Sequence, residues 1–527
     1  MKNHALDLRD RAGLFAGLES RVFDVAVIGG GITGAGVARD AAMRGLSVAL
    51  IESRDFASGT SSRSSKMIHG GLRYLAQGDL ALVREAASER KIFQAIAPHL
   101  ARETPFVIPA RNAGAIAKLR AGLWTFEKLG GVPRSRKHEV WSLADLTSRE
   151  PAISATGLVG AVVYPEYLTD DARLTLANIR SAVAAGAMVV SYASAAAILM
   201  ENGRAGGVEV AETLPGAPER HARLLARIIV NAAGPWVDAV RTLESADATA
   251  RLSLTRGVHL VVPRDRLPVS RTVIMTASDR RSVFTVPRGA ITYLGTTDTF
   301  HPVAETWPPV TAEDADYLFA AAAGTFSSPP LAHADIVSAW SGVRPLVGEA
   351  GKSASDISRR DELWTGPAGV LSIAGGKLTA YRRMAERVVD EVETALGHKP
   401  RPCRTADEPL LGGDEASDIA NVPGGPAGQA AYAVTHEGAL TLEDYWVRRS
   451  ARAWFDLDAG MSKLEPAAQA MAPLLGWSDA RKASEIAACR AIHARDMSAF
   501  SLPPLHGEGQ TAKPSGWGSV DETPQSR

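Results

Sequence analysis

Residues 24 to 52 constrain the fold more than any other part of the chain. Asp24-Val25-Ala26-Val27-Ile28 is a short apolar run, and Gly29-Gly30-Gly31-Ile32-Thr33-Gly34 turns sharply after it. Ala35 to Arg44 has helical spacing and stops at Gly45; a second apolar run, Val48 to Ile51, stops at Glu52. The predicted order is strand, glycine turn, helix, strand, acid. Gly29 permits the tight turn, Gly31 lets the backbone approach a pyrophosphate, and Gly34 lets the helix pack closely on the sheet. The helix start offers N–H groups and a positive dipole end to phosphates. Glu52 stands where an acid accepts from ribose hydroxyls. The whole stretch predicts a dinucleotide site; a lone Gly-x-Gly-x-x-Gly would not.

The next run separates FAD from NAD. An NAD domain would go on to another crossover helix, whereas Thr60, Ser61, Ser62, Ser64 and Ser65 crowd hydroxyls together before His69. Hydroxyls and backbone N–H groups there suit a long, polar, embedded cofactor. Late in the chain Val370 to Ala374 reads as a strand, and Gly375-Gly376-Lys377-Leu378-Thr379 opens a helix to about Leu396. This second strand–glycine–helix unit predicts FAD lying extended between two segments, with the helix start facing reduced flavin. The strand ending Val230-Asn231-Ala232-Ala233-Gly234 is a third close approach, and Gly234 joins the candidate cofactor residues.

The run Ser64-Ser65-Lys66-Met67-Ile68-His69-Gly70-Gly71-Leu72-Arg73-Tyr74 resembles the FAD-dependent glycerol-3-phosphate dehydrogenase family, membrane-associated quinone reducers among the D-amino-acid-oxidase-like flavoproteins. Further similar runs are Asp170 to Leu174, Thr255 to Pro263, Gly295 to Asp298, Trp340 to Leu346 and Tyr445 to Arg452, so the resemblance covers about residues 22 to 500. It implies an α/β fold: a doubly wound, Rossmann-like FAD domain, an antiparallel-sheet substrate domain and a C-terminal helical cap. The expected layout is an arm at 1–21 and an oxidoreductase region at 22–410. FAD segments fall near 22–98, 159–250 and 335–400, and substrate segments near 99–158 and 251–334. A linker at 411–428, a helical domain at 429–502 and a disordered tail at 503–527 follow.

The implied reaction is oxidation of sn-glycerol 3-phosphate to dihydroxyacetone phosphate, with electrons passed to membrane quinone. Removing the hydroxyl proton needs a base that titrates near neutrality, and His69 and His259 both qualify. The resemblance places Arg73, Tyr74, Arg360 and Lys377 on the phosphate and Arg344 at the developing oxyanion; Arg359 precedes Arg360, which is chosen because Asp361 follows it. Alternatives are an oxidase using oxygen, a flavin-binding sensor without turnover and, more distantly, an amino-acid oxidase.

Composition sets outer limits. The 527 residues exceed one ordinary core, and 46% hydrophobic with 22% charged residues is a globular balance. With 58 basic and 58 acidic residues, nothing calls for nucleic acid. Cys403 and Cys489 lie far apart without a ligand pattern, which predicts no disulfide and no metal, and Asp456 to Gly460 lacks the spacing of a calcium loop. There is no signal-peptide core and no apolar run long enough to span a bilayer. The expectation is a cytoplasmic protein held peripherally at the inner membrane face; the resemblance also admits a homodimer. Residues 113–137, with Trp124 among Lys118, Arg120 and Lys128, read either as an interfacial helix or as an ordinary amphipathic one.

Overall fold

The computed structural model describes residues 5–69, 80–130, 132, 137–348, 360–412 and 419–500. Strand Phe23–Ile28 lies at the centre of the first sheet, parallel to Val48–Ile51 on one side and to His221–Asn231 on the other. Val27 therefore sits between Leu50 and Val230. The parallel set continues outward to Met188–Val190 and to Leu371–Gly375, and Asp361–Thr365 adds an antiparallel edge. Val25, Val27, Leu50 and Val230 are fully buried, as expected for parallel strands covered on both faces. Helix Ile32–Met43 packs on this sheet with helices Asp171–Ala184 and Tyr381–Ala395 around it, through Ala35, Val37, Ala38, Ile179, Ala385 and Val389. Strands Ala193–Glu201, Arg204–Glu212 and His221–Asn231 form an antiparallel ribbon.

Among the described residues the second sheet has ten strands, running from Thr299–Phe300 through Leu252–Pro263, Ile291–Gly295, Ser282–Arg288 and Thr272–Thr276 to Arg102–Ala110, Gly160–Leu168 and Met67–Ile68, with Ser338–Val347 and Glu139–Ser142 paired alongside. It is antiparallel except where Thr272–Thr276 runs parallel to Arg102–Ala110. Three strands differ from the expected layout. Met67–Ile68, Gly160–Leu168 and Ser338–Val347, all assigned to FAD segments, pair within this sheet, the last along Leu252–Pro263 from Leu252↔Val347 to Val261↔Ser338. Apolar strand residues look the same in either sheet, and only long-range pairing distinguishes them.

Side chains from their own sequence cap helices Ala312–Ala323 and Asp171–Ala184. Thr311 and Asp314 form a reciprocal capping box at helix Ala312–Ala323, and Asp170 caps helix Asp171–Ala184 by accepting from Arg173 N–H. The C-terminal unit holds helices Gly425–Glu437, Leu464–Leu475 and Asp479–Met497; the first starts inside the expected linker. Residues 503–527 lie outside the described set.

Candidate active site

A cavity of about 1280 Å3 runs from the glycine turn along the Ser-rich loop to the second sheet. At its first end Gly29 has φ +112°, and a Cβ there would stand 2.6 Å from Ala232 O, so the turn and the strand end at 232 are in contact. Glu52 faces the cavity with both oxygens engaged. Oε2 accepts from Gly30 N–H at 2.7 Å and Oε1 from Arg54 N–H at 2.9 Å. Burial pushes its pKa up against the pull of these donors. Ser53 Oγ also donates to Oε1, at 3.3 Å, so Oε2 is the oxygen that keeps a lone pair for a ribose hydroxyl. Ser61 Oγ accepts from Ile32 N–H at 2.9 Å and so caps the start of helix Ile32–Met43.

The loop that follows is anchored by one carboxylate. Asp171 Oδ2 accepts from Ser64 N–H and Oγ–H at 3.0 and 2.7 Å, and Oδ1 from Lys66 Nζ at 2.5 Å. Lys66 is buried with φ +56° and also donates to Ser62 O at 2.9 Å. Trp340 Nε1 donates to Ser64 O and Tyr293 OH to Ser65 O, pinning the same residues from the second sheet. Across the cavity, Gly375 to Thr379 leads into helix Tyr381–Ala395, and Thr379 Oγ1 donates to His69 O at 3.3 Å. The residues fit an extended dinucleotide: a glycine cradle at one end, an acid for ribose, a hydroxyl-lined middle and a second helix start at the far end.

The far end carries acid–base and cationic groups. His259 is buried, stacked on Trp340 at 4.7 Å with the rings 9° apart, and its Nε2 lies 2.8 Å from Ser65 Oγ. Burial, then Arg344 and Lys66, holds its pKa well below the ordinary histidine value, so the ring is kept neutral near pH 7. His69 is half-buried, with its ring 6.4 Å from that of Phe284. Arg344 is aimed by Asp298 Oδ1 at 3.0 Å, Thr296 Oγ1 at 2.9 Å and Thr297 O at 3.2 Å. A Cβ at Gly257 would lie 1.9 Å from its Nη2, so that glycine leaves room for the guanidinium. Lys377 lines the same cavity. Beside this polar wall runs an apolar one of Phe106, Ile108, Leu119, Ile274 and Phe284.

Residues 24–382 match the model of the FAD dependent oxidoreductase family, and residues 419–482 match the C-terminal domain of alpha-glycerophosphate oxidase. The aerobic glycerol-3-phosphate dehydrogenase of Bacillus subtilis (strain 168) is 35% identical over 539 residues, covering 92% of this chain and 96% of that protein. This chain belongs to the FAD-dependent glycerol-3-phosphate dehydrogenase family. The Staphylococcus aureus (strain USA300) enzyme of the same name is 41% identical over 418 residues, 78% of this chain and 74% of its own length. Among solved structures, the glycerol-3-phosphate dehydrogenase from Bacillus halodurans complexed with FAD superposes with a TM-score of 0.76 at 31% identity, covering 95% of this chain and 100% of that one. Glycine oxidase from Geobacillus kaustophilus shares the fold, with a TM-score of 0.54 at 21% identity over 74% of this chain and 99% of its own.

The cavity gathers Gly29, Gly31, Glu52, Thr60, Ser61, Ser64, Ser65, His69, Gly234, His259, Arg344 and Gly375 to Thr379. Gly34 does not line the cavity but packs the helix against Gly29 and Val27, the packing role expected of it. Two other expected residues stand elsewhere: Ser62 is buried away from the cavity as the carbonyl partner of Lys66, and Arg360 is exposed before edge strand Asp361–Thr365. Arg73 and Tyr74 lie outside the described residues. Sequence reasoning missed Asp171 and Asp298 as anchors. The Asp170-Asp171 pair signals a helix cap, and Gly295 to Asp298 signals a turn; neither shows which loop or arginine its carboxylate would hold.

Proposed function

We propose that this chain oxidises sn-glycerol 3-phosphate to dihydroxyacetone phosphate and passes the electrons to a membrane quinone. The observation that carries the reading is the polar wall. Two histidines, a clamped arginine and Lys377 face one space at the flavin end of a dinucleotide cavity. Lys377, with Arg73 and Tyr74 from outside the described residues, holds the phosphate, a charge that an amino-acid oxidase would not need to bind. Arg344 stabilises the alkoxide as the carbonyl forms. One of His69 and His259 takes the hydroxyl proton. Bound FAD supplies the hydride acceptor.

The quinone reading is supported by the apolar wall. Leu119 in that wall belongs to helix Ala113–Gly130, whose outer side exposes Trp124 (56% exposed). An amphipathic helix of this kind can rest at a lipid surface where quinone is dissolved. Among the described residues no helix is long and apolar enough to cross a membrane, so the contact proposed is peripheral.

The test is anaerobic addition of glycerol 3-phosphate to the flavin-loaded protein, followed by a quinone analogue or air. Bleaching by glycerol 3-phosphate alone, and not by glycerol or an amino acid, with reoxidation by quinone, is expected. No bleaching removes the substrate, and stoichiometric peroxide in air with slow quinone turnover makes the chain an oxidase.

A further inference from the structure

None of residues 419–500 lines the cavity, yet this domain reaches the cofactor loop through one buried carboxylate. Asp55 lies three residues beyond Glu52 and is fully buried. Its partners come from the π-helical turn Asp444–Arg449. Arg448 Nε donates to Oδ2 at 2.5 Å; Arg449 donates through Nη2 to Oδ1 at 2.8 Å and through Nη1 to Oδ2. Both arginines are themselves buried. Behind them Asp444 accepts from Arg448 at 2.8 Å and from Tyr192 OH at 2.6 Å.

On its other side Asp55 leads straight into the glycine turn. Phe56 packs so closely that a Cβ on Gly30 would lie 2.6 Å from its ring. Ala57 N–H donates to Gly30 O at 3.0 Å, and Gly30 N–H in turn holds Glu52. Ala57 has φ +62°, a left-handed conformation that a residue with a side chain keeps only where its surroundings enforce it.

We infer that the C-terminal domain is a positioning device for the cofactor. Arg448 and Arg449 hold Asp55, and through it the 52–58 loop, in the conformation that receives FAD. A buried ion pair adds little net stability over well-packed apolar residues, so its use here is better explained by fixing one loop conformation. Burial works against the charge on Asp55, and Arg449 and Arg448 more than offset it, which keeps the carboxylate ionised. The inference needs FAD alone and is independent of the alcohol that is oxidised.

The test measures FAD release from the full-length holoenzyme, by ultrafiltration and by the fluorescence of freed flavin, for Asp55→Asn and Arg449→Lys. Each should weaken FAD binding on the order of tenfold to a hundredfold, the scale of losing a supporting layer of hydrogen bonds, with turnover at saturating FAD kept. Arg452→Gln is the control. Arg452 pairs with Asp456 at 2.9 Å and Gln429 at 3.0 Å within the C-terminal domain, so it should lower Tm and leave FAD affinity unchanged. Tyr192→Phe removes only the outermost hydroxyl and covers the case in which the charge variants do not fold; it should weaken FAD binding about threefold. Wild-type FAD affinity in the Asp55 and Arg449 variants, or in Tyr192→Phe if those do not fold, overturns the inference. So does an Arg452→Gln variant that loses FAD equally.

Discussion

Gly34→Ala and Gly36→Ala place the same methyl group on one helix, two residues apart, with opposite expected outcomes. At Gly34 the new Cβ would lie 1.9 Å from Gly29 O and 3.1 Å from Gly29 C. Non-bonded carbon contacts settle near about 3.5 Å, so helix and turn must separate by more than about 1 Å, and the obstacle is backbone that cannot rotate away. Alanine's better helix propensity returns only about 0.5–1 kcal/mol, against about 1–3 kcal/mol for overpacking. The displacement falls on the N–H groups that meet the pyrophosphate, where an error of about 1 Å is worth about a hundredfold, or about 2.7 kcal/mol. At Gly36 the Cβ would meet Ala385 Cβ at 3.1 Å and the Tyr381 ring at 3.3 Å, side chains that can give by tenths of an ångström. FAD titration should therefore show about a hundredfold loss for Gly34→Ala and less than about threefold for Gly36→Ala. Equal FAD affinity in the two variants would refute the reasoning.

Asp298→Asn keeps the shape that aims Arg344 but removes its counter-charge; turnover should fall about tenfold to a hundredfold with the flavin spectrum unchanged, and undiminished turnover would show that Arg344 needs no clamp. His69→Asn and His259→Asn separate the two base candidates: anaerobic flavin reduction should slow about a hundredfold or more in one and under about tenfold in the other, and full rates in both would exclude a histidine base. His259, facing Arg344 and Lys66 with Asp298 and Asp171 behind them, is held below its ordinary pKa, so the unfolded chain binds a proton that the folded chain refuses. The stability this represents is complete above about pH 6.5 and is lost as pH falls toward the folded value, at up to about 1.4 kcal/mol per pH unit; thermal melts of His259→Asn should show a shallower acid limb, and an unchanged slope would discount the burial.

What the sequence reveals and what it hides divide by distance along the chain. The turn at 29–34, the acid at 52 and the cap at 311–314 are legible because each is complete within about twenty residues and uses residue types that only that geometry demands. Asp171 is separated from Ser64 by 107 positions, Asp298 from Arg344 by 46, and Asp55 from Arg449 by 394. Each of these carboxylates has a satisfactory local reading as a cap, a turn or a loop acid, so nothing in its neighbourhood signals a distant partner. The same holds for strands Gly160–Leu168 and Ser338–Val347, whose apolar residues suit either sheet. The parts whose geometry suits a dinucleotide are therefore the legible ones. The parts that hold them in place are charges buried between distant segments, and there a single carboxylate decides whether a well-formed motif stands in its binding geometry.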